Sequence, residues 1–363
     1  MDVVVLSHLR WDFVYQRPQH LMSRAAAQHR VLFIEEPMVA DRFDMERREV
    51  EPNLVVVRPL VPAGTDDRAA EAFVGDAVPK LVDEWRRNPL VVWHYSVLAE
   101  PLSRSLDADV VVFDCMDELS AFRGAPPHMV DRERALIERA DLIFTGGHSL
   151  WEAKRSLHPS VHLFPSGVDL AHFGAGRGEQ PEPSALSSIS HPRLVYAGVI
   201  DERIDMGLLA RLAYADVGEL VLIGPVVKID EADVPAGPRV HRLGMQPYDQ
   251  LPALFAHCDV ALMPFALNAA TRFISPTKTP EYLAAGLPVV STAVTDVVRG
   301  YGDLDMVSIA ADADAFISAC TDALSRPRRL AEVDRRLAGM SWDATWQAMD
   351  ELIAEVLEES EAA

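Results

Sequence analysis

The run Ser275-Pro-Thr-Lys-Thr-Pro-Glu281-Tyr-Leu-Ala-Ala-Gly286-Leu-Pro288-Val-Val-Ser291 lays out one complete helix-to-strand unit. Ser275 and Pro276 open a turn. Thr277 to Ala285 follows as a short helix, with Pro280 tolerated in the first turn, where a missing N–H is no loss. Gly286 ends that helix, because glycine takes up the left-handed stop without strain. Pro288 then leads into Val289 and Val290, apolar on successive residues. A strand that is apolar on both faces has helices on both sides, which means a parallel sheet.

The same alternation extends in both directions. The first half carries apolar runs at Val3–Leu6, Val31–Ile34, Leu54–Val57, Leu90–Trp93, Val110–Phe113, Leu142–Thr145 and Val161–Phe164, with amphipathic stretches such as Gln19–Gln28 and Val130–Ala140 between them. Gly174 to His191 breaks the pattern with Gly, Pro and Ser, a linker composition. A second series follows: Leu194–Ala197, Leu220–Ile223, Val240–Leu243, Val260–Met263, Val289–Ser291 and Met306–Ile309. Strand-helix-strand punctuation twice over predicts two α/β domains, at 1–175 and 192–340, joined by a linker at 176–191. Residues 341–363 form a last helix, with Ser341 or Asp343 as cap. Its Trp342, Trp346, Met349 and Ile353 recur at helical spacing and need a partner surface. Packing on its own domain and crossing back to the first domain are both open.

The chain has 363 residues, 49% hydrophobic and 25% charged, which excludes a disordered scaffold. Acidic residues outnumber basic ones 55 to 34, for a net charge of -21. Neither half is net positive, which argues against nucleic acid and against broad docking on an anionic bilayer. Cys115, Cys258 and Cys320 lie far apart in apolar runs and read as buried hydrophobes of a reducing compartment. The start Met1-Asp2-Val3 lacks the basic and apolar regions of an export signal, and no run is long enough to span a membrane. The expectation is a cytoplasmic protein.

Several motifs are missing from the sequence: a P-loop, an HExxH, a paired-cysteine zinc site and a GxSxG elbow. Gly174-x-Gly176-x-Gly178 follows no strand, so the dinucleotide reading fails on context. Asp201 and Asp205 near a strand end do not by themselves make a metal site. The opening run is richer. A helix start offers free N–H groups for phosphate, with Ser275 and Thr277 beside it, and Lys278 adds a cation. Glu281, about a turn on, can accept both hydroxyls of a ribose diol. Ordinary capping, a solvated lysine and a dipole-favouring glutamate account for each residue taken alone. Together, at the carboxyl end of a buried strand, they describe a nucleotide site.

The run resembles the donor-binding segment of GT-B glycosyltransferases, above all family 4, through Glu281, Gly286, Pro288, Val289 and Val290. Leu194-Val-Tyr-Ala-Gly198, Leu220–Gly224, Leu243-Gly244 and Cys258–Pro264 fall in the family's order, and Pro165-Ser-Gly167-Val168-Asp169 with Phe173 resembles the close of its first domain. The resemblance implies a GT-B architecture of two Rossmann-like domains facing a central cleft. It makes Gly198 part of the donor turn and Glu281 the ribose holder. Phe273 stands where family 4 has its first Glu, and Val199 where it has an Arg. Lys278 is similar to a lysine of the xanthan-type glucuronosyltransferase branch, which inverts with an Asp base. In that branch Met245 and Gln246 would lie in the loop lining the base pocket.

An inverting transferase needs a carboxylate to take the acceptor proton. Asp114, Asp117 and Glu118 end one strand; the resemblance favours Asp117, which as an alternative would cap a following helix. His94, at another strand end, is a second candidate for proton transfer. In the loop after the first strand, His8, Trp11 and Arg17 are candidate acceptor-binding residues, Trp11 by stacking on a sugar and Arg17 by holding an anionic group. The expected activity is transfer of a sugar from a nucleoside diphosphate sugar, UDP-linked or GDP-linked, to a glycan, glycolipid or small glycoside acceptor in polysaccharide or cell-surface biosynthesis. The nucleotide sugar is a substrate, and no cofactor or metal is required. A lipid-linked acceptor would bring the chain against the inner face of the membrane. A nucleotide-sugar epimerase of the same fold and a non-catalytic nucleotide-sugar binder in a biosynthetic complex are the alternatives.

Overall fold

A computed structural model describes residues 1–362. The first series of strands forms one nine-stranded sheet: β1 (Asp2–Ser7), β2 (Arg30–Glu35), β3 (Met38–Ala40), β4 (Asp44–Glu51), β5 (Leu54–Pro62), β6 (Leu90–His94), β7 (Val110–Cys115), β8 (Leu142–Thr145) and β9 (Val161–Leu163). The order is β3-β5-β2-β1-β6-β7-β8-β9, with β4 on β5. Helices α1 (Arg17–Ala26), α2 (Asp67–Trp85), α3 (Glu100–Ser103), α4 (Met129–Arg139) and α5 (His148–Lys154) connect them. Strands β1, β6, β7 and β8 are buried along their whole length, as unbroken apolar runs require.

The sheet departs from the all-parallel expectation at β4. That strand, Asp-Met-Glu-Arg-Arg-Glu-Val-Glu, runs antiparallel to β5 and exposes Glu46 to Glu49. It has no apolar period to betray it. Charge along an edge strand keeps that edge from pairing with another chain.

The second series forms a six-stranded, wholly parallel sheet: β10 (Arg193–Ala197), β11 (Glu219–Ile223), β12 (Val240–Gly244), β13 (Val260–Met263), β14 (Val289–Thr292) and β15 (Val307–Ala310). The order is β12-β11-β10-β13-β14-β15. Its helices are α6 (Leu170–Gly174), α7 (Met206–Tyr214), α8 (Leu251–Ala256), α9 (Lys278–Ala284), α10 (Thr295–Tyr301), α11 (Ala313–Ser325) and α12 (Leu330–Leu337).

The chain divides into two compact units. Unit 1 comprises residues 1–120, 124–165 and the helix α13 (Trp342–Ala362) from Asp343 onward; unit 2 comprises 121–123 and 166–342. Unit 2 therefore begins at Ser166 rather than after 175. The stretch 176–191 is also no free linker. Leu186 and Ile189 are buried in the core of unit 2. The buried Arg193 guanidinium donates to the carbonyls of both, at 2.9 Å each. Polar composition concealed those two apolar anchors.

In α13, Trp346, Met349 and Ile353 are buried. The Trp346 ring lies 6.2 Å from that of Trp93, and Asp350 meets His29 at 2.9 Å. Helix α9 ends at Gly286 with φ 84°. The N–H of Leu287 donates to Tyr282 and that of Gly286 to Leu283, the paired bonds of a glycine-terminated helix. Arg177 caps the same end, donating to the carbonyls of Ala284 and Leu283.

The turns after β10 and β11 are held by main-chain bonds, Gly198 N–H to Ile223 and Gly224 N–H to Gly244, both 2.8 Å. Gly224 has φ 135°, and a Cβ placed on it would overlap the carbonyl of Gly198. Gly224→Ala is therefore expected to destabilise unit 2 by about 3 kcal/mol or more, through strain and displaced backbone. Urea unfolding of the variant checks this, and a loss below about 1 kcal/mol would show that the turn yields.

Candidate functional site

Both sheets contain a point where strand order reverses. In unit 2 the chain moves outward from β10 through β11 to β12, then returns to β13 on the other side of β10. The region outside the carboxyl ends at such a point is where open α/β sheets take ligands. Gly198 follows β10, and α9 follows β13.

Tyr282 fixes α9 against β10. Its hydroxyl accepts from the Ala197 N–H at 2.7 Å and donates to the Ala197 carbonyl at 3.3 Å. Burial raises the Tyr282 hydroxyl well above its ordinary pKa, so the group stays neutral. Lys278 and Glu281, three apart, fall on one face and pair at 2.7 Å, with side-chain exposures of 12% and 3%. Burial pushes the Glu281 carboxyl up, and Lys278 and His172 pull it back. Thr279, in the same helix turn, is buried, and its hydroxyl has no partner among the described residues. Thr277 precedes the helix without a side-chain cap bond, and the Ser275 carbonyl accepts from the Ser166 hydroxyl at 3.2 Å.

The loop after β10 lies along the segment after β13. Asp205 N–H donates to Pro264, and Ala266 N–H to Arg203, both 2.8 Å. The two carboxylates near this strand end are both occupied. Asp201 grips Arg203 with Nε and Nη2 bonds of 2.8–3.1 Å, and Asp205 caps α7 through Leu208. Arg203 is thus a cation in the loop after β10 that pattern reading missed; the Asp-x-Arg spacing was its signal. At the edge strand, Met245 is exposed and Gln246 closes its own turn by donating to the Leu243 carbonyl at 2.7 Å. Beyond them Tyr248 stacks on His172, a residue sequence reasoning passed over.

In unit 1 the order reverses between β1 and β6. His8, after β1, has Nδ1 3.1 Å from the Tyr95 carbonyl after β6. His8, Tyr95 and Asp117 line one small recess, with Cys115, Ser120 and Glu133. Asp114 and Glu118, at the same strand end, hold ion pairs. Glu118 meets Lys154 at 2.7 Å, and Lys154 also meets Glu133 at 2.7 Å. Asp114 is fully buried against Arg17.

Two expectations need correction. Arg17 does not present its charge to an acceptor. It is 3% exposed, its Nε and Nη2 donate to Asp114 at 2.9–3.1 Å, and its Nη1 donates to the Phe164 carbonyl. His94 does not stand ready for proton transfer. It is fully buried, and burial lowers its pKa from 6.5 to about 4. Its Nε2 finds no partner among the described residues. Trp11 keeps part of its surface, with its ring edge-on to Phe33 at 5.2 Å and its main-chain N–H donating to buried Glu35.

Residues 191–326 match the family described as glycosyl transferases group 1. This segment is a glycosyl transferases group 1 domain. A protein of Bacillus subtilis (strain 168) named as a teichuronic acid biosynthesis glycosyltransferase, TuaH, is 26% identical over 216 residues, 54% of each chain. The chain thus spans about half the length of that curated relative. The sucrose-phosphate synthase of Thermosynechococcus elongatus shares the fold with a TM-score of 0.77 at 17% identity, over 99% of both chains. Anabaena Alr3699/HepE, solved with UDP and glucose, gives 0.69 at 14% identity, over 98% of this chain and all of that one. The fold is therefore GT-B, and the group 1 domain is the core of unit 2, with Gly198, Lys278 and Glu281 inside it. Among the described residues no helix is long and apolar enough to cross a membrane.

His94 gives a test of the unit 1 geometry. Its pKa is depressed on folding, so the unfolded chain takes up the proton first as pH falls. Stability is then lost between about pH 6.5 and pH 4, by about 3 kcal/mol. Denaturant melts at pH 7 and pH 4 should show that loss in the wild type and not in His94→Leu. Parallel losses would mean that His94 titrates normally.

Proposed function

We propose that the chain is a glycosyltransferase that moves a sugar from a nucleoside diphosphate sugar, UDP-linked or GDP-linked, to a glycan, glycolipid or small glycoside acceptor. The observation that carries this reading is the Lys278–Glu281 pair beside the strand-order reversal of a group 1 domain. With no donor present, each side chain neutralises the other in a buried place. A diphosphate arriving at Lys278 takes over its charge, and Glu281 is released to accept from the ribose hydroxyls. Neither charge is left buried and alone at any stage, the condition such sites must meet.

In the reaction, a carboxylate takes the proton of an acceptor hydroxyl, whose oxygen attacks the anomeric carbon. The bond from that carbon to the diphosphate breaks, and the nucleoside diphosphate leaves with the electron pair. Asp117 is assigned the proton, because it lines the recess at this strand end together with His8. His8, on the same recess, and Trp11 would contact the acceptor. Lys278 stabilises the departing charge, so the reading includes no resident cofactor and no metal requirement. The setting proposed is polysaccharide or cell-surface biosynthesis in the cytoplasm, at the inner membrane face where the acceptor is lipid-linked.

Calorimetric titration with UDP, GDP and ADP tests the donor half. One of them is expected to bind, with Lys278→Ala weakening it by about ten- to a hundredfold, the scale of a lost charge-assisted bond. Asp117→Asn should keep that affinity and abolish transfer. Full transfer by Asp117→Asn would remove the assignment of the base.

A further inference from the structure

Tyr248 is the one large side chain of the 245–248 turn that is packed back onto unit 2. Met245 at the front of the turn is exposed, and Gln246 bonds to its own turn at Leu243. The Tyr248 ring is stacked on His172, with centroids 4.3 Å apart and planes 6° from parallel. His172 Nε2 lies 3.0 Å from the Tyr248 carbonyl, so the ring nitrogen donates there. One histidine thus holds the residue by its side chain and its main chain together. His172 is in turn fixed by Asp169, whose carboxylate accepts from the His172 N–H at 3.0 Å. Phe173 meets both rings edge-on, at 4.8 and 5.6 Å.

The position of this stack matters for a nucleotide. Helix α6, carrying His172, packs on α9, which carries Lys278 and Glu281. His172 lies near enough to Glu281 to lower the pKa of its carboxyl. In a nucleoside diphosphate the ribose separates the base from the phosphates. With the diphosphate on Lys278 and the diol on Glu281, the base extends to the far side of Glu281. His172, on the helix packed against α9, and Tyr248 form a stacked aromatic pair near that helix.

We infer that His172 is a positioning residue for nucleoside recognition: it holds Tyr248 and the 245–248 turn in place, so that the base is read separately from the diphosphate. This rests on the donor reading above. The two bonds His172 makes can be separated. His172→Phe keeps a stacking ring and loses the bond to the Tyr248 carbonyl, and His172→Gln keeps a donor and loses the stack.

The test is calorimetric titration of the full chain with UDP, GDP, ADP and inorganic pyrophosphate, with thermal melts alongside. His172→Ala is expected to weaken the preferred nucleoside diphosphate about tenfold and to narrow the gap between it and the other two. Pyrophosphate affinity should stay unchanged, because pyrophosphate reaches only the Lys278 end. His172→Phe and His172→Gln should each recover part of the loss. Equal weakening of pyrophosphate and nucleotide, with a lowered melting temperature, would make His172 merely structural and overturn the inference. Wild-type binding of a nucleotide with His172→Ala indistinguishable from it would overturn the inference and leave the donor reading standing. No binding of any nucleoside diphosphate by the wild type would overturn both.

Discussion

The hydroxyl of Tyr282 binds the N–H and the carbonyl of the same residue, Ala197, and the carboxyl edge of unit 2 takes its shape from that clamp. It sets the rotation and height of α9 against the end of β10. Everything the site needs from α9 then follows from helical spacing. Lys278 and Glu281 meet because they are three apart, and they meet beside Gly198 because the next residue is bonded to the last residue of β10. A neutral, buried hydroxyl suits this role. It satisfies two main-chain groups at the end of a strand, and it brings no charge of its own.

The buried charges of the molecule fall into two kinds. Arg17, Lys154 and Arg193 are sealed into pairs and carbonyl bonds that fasten loops to the sheets. Breaking such a pair leaves a lone charge in a low-dielectric place, at a cost of roughly 3–5 kcal/mol, so these partners do not exchange. Lys278 is different in where it sits: its pair with Glu281 lies on the helix that follows β13, at the reversal of strand order. On a chain with a net charge of -21, such a cation offers an anionic ligand local attraction that the surface as a whole does not.

The parts of the fold that declared themselves in the sequence were those written in apolar periodicity. The buried strands β1, β2, β6, β7, β10 and β13, the helix over 278–284 and its stop at Gly286 were all legible, because each is specified by neighbours in sequence. The strand β4 was not, since an exposed charged edge has no period to read. The segment 176–191 was misjudged because two apolar residues among many polar ones decide its packing. For the site, residue type and spacing located Lys278, Glu281 and the Asp114–Glu118 cluster. They could not tell that Asp114 and Glu118 hold ion pairs. That depends on Arg17 and Lys154, which lie far from the cluster in sequence. His94 shows the same limit: a histidine at a strand end reads alike whether it faces a loop or the core.

The chain order of the two units bears on how the protein emerges from the ribosome. Unit 2 is encoded almost wholly within residues 166–342, whereas unit 1 takes its last helical layer from residues beyond Asp343. During synthesis the later unit is thus complete before the earlier one. Until Trp346, Met349 and Ile353 are made, the surface around Trp93 and His29 stays bare in water. Exposed apolar surface of this kind is what chaperones bind, and its lifetime is set by the time needed to translate the whole of unit 2.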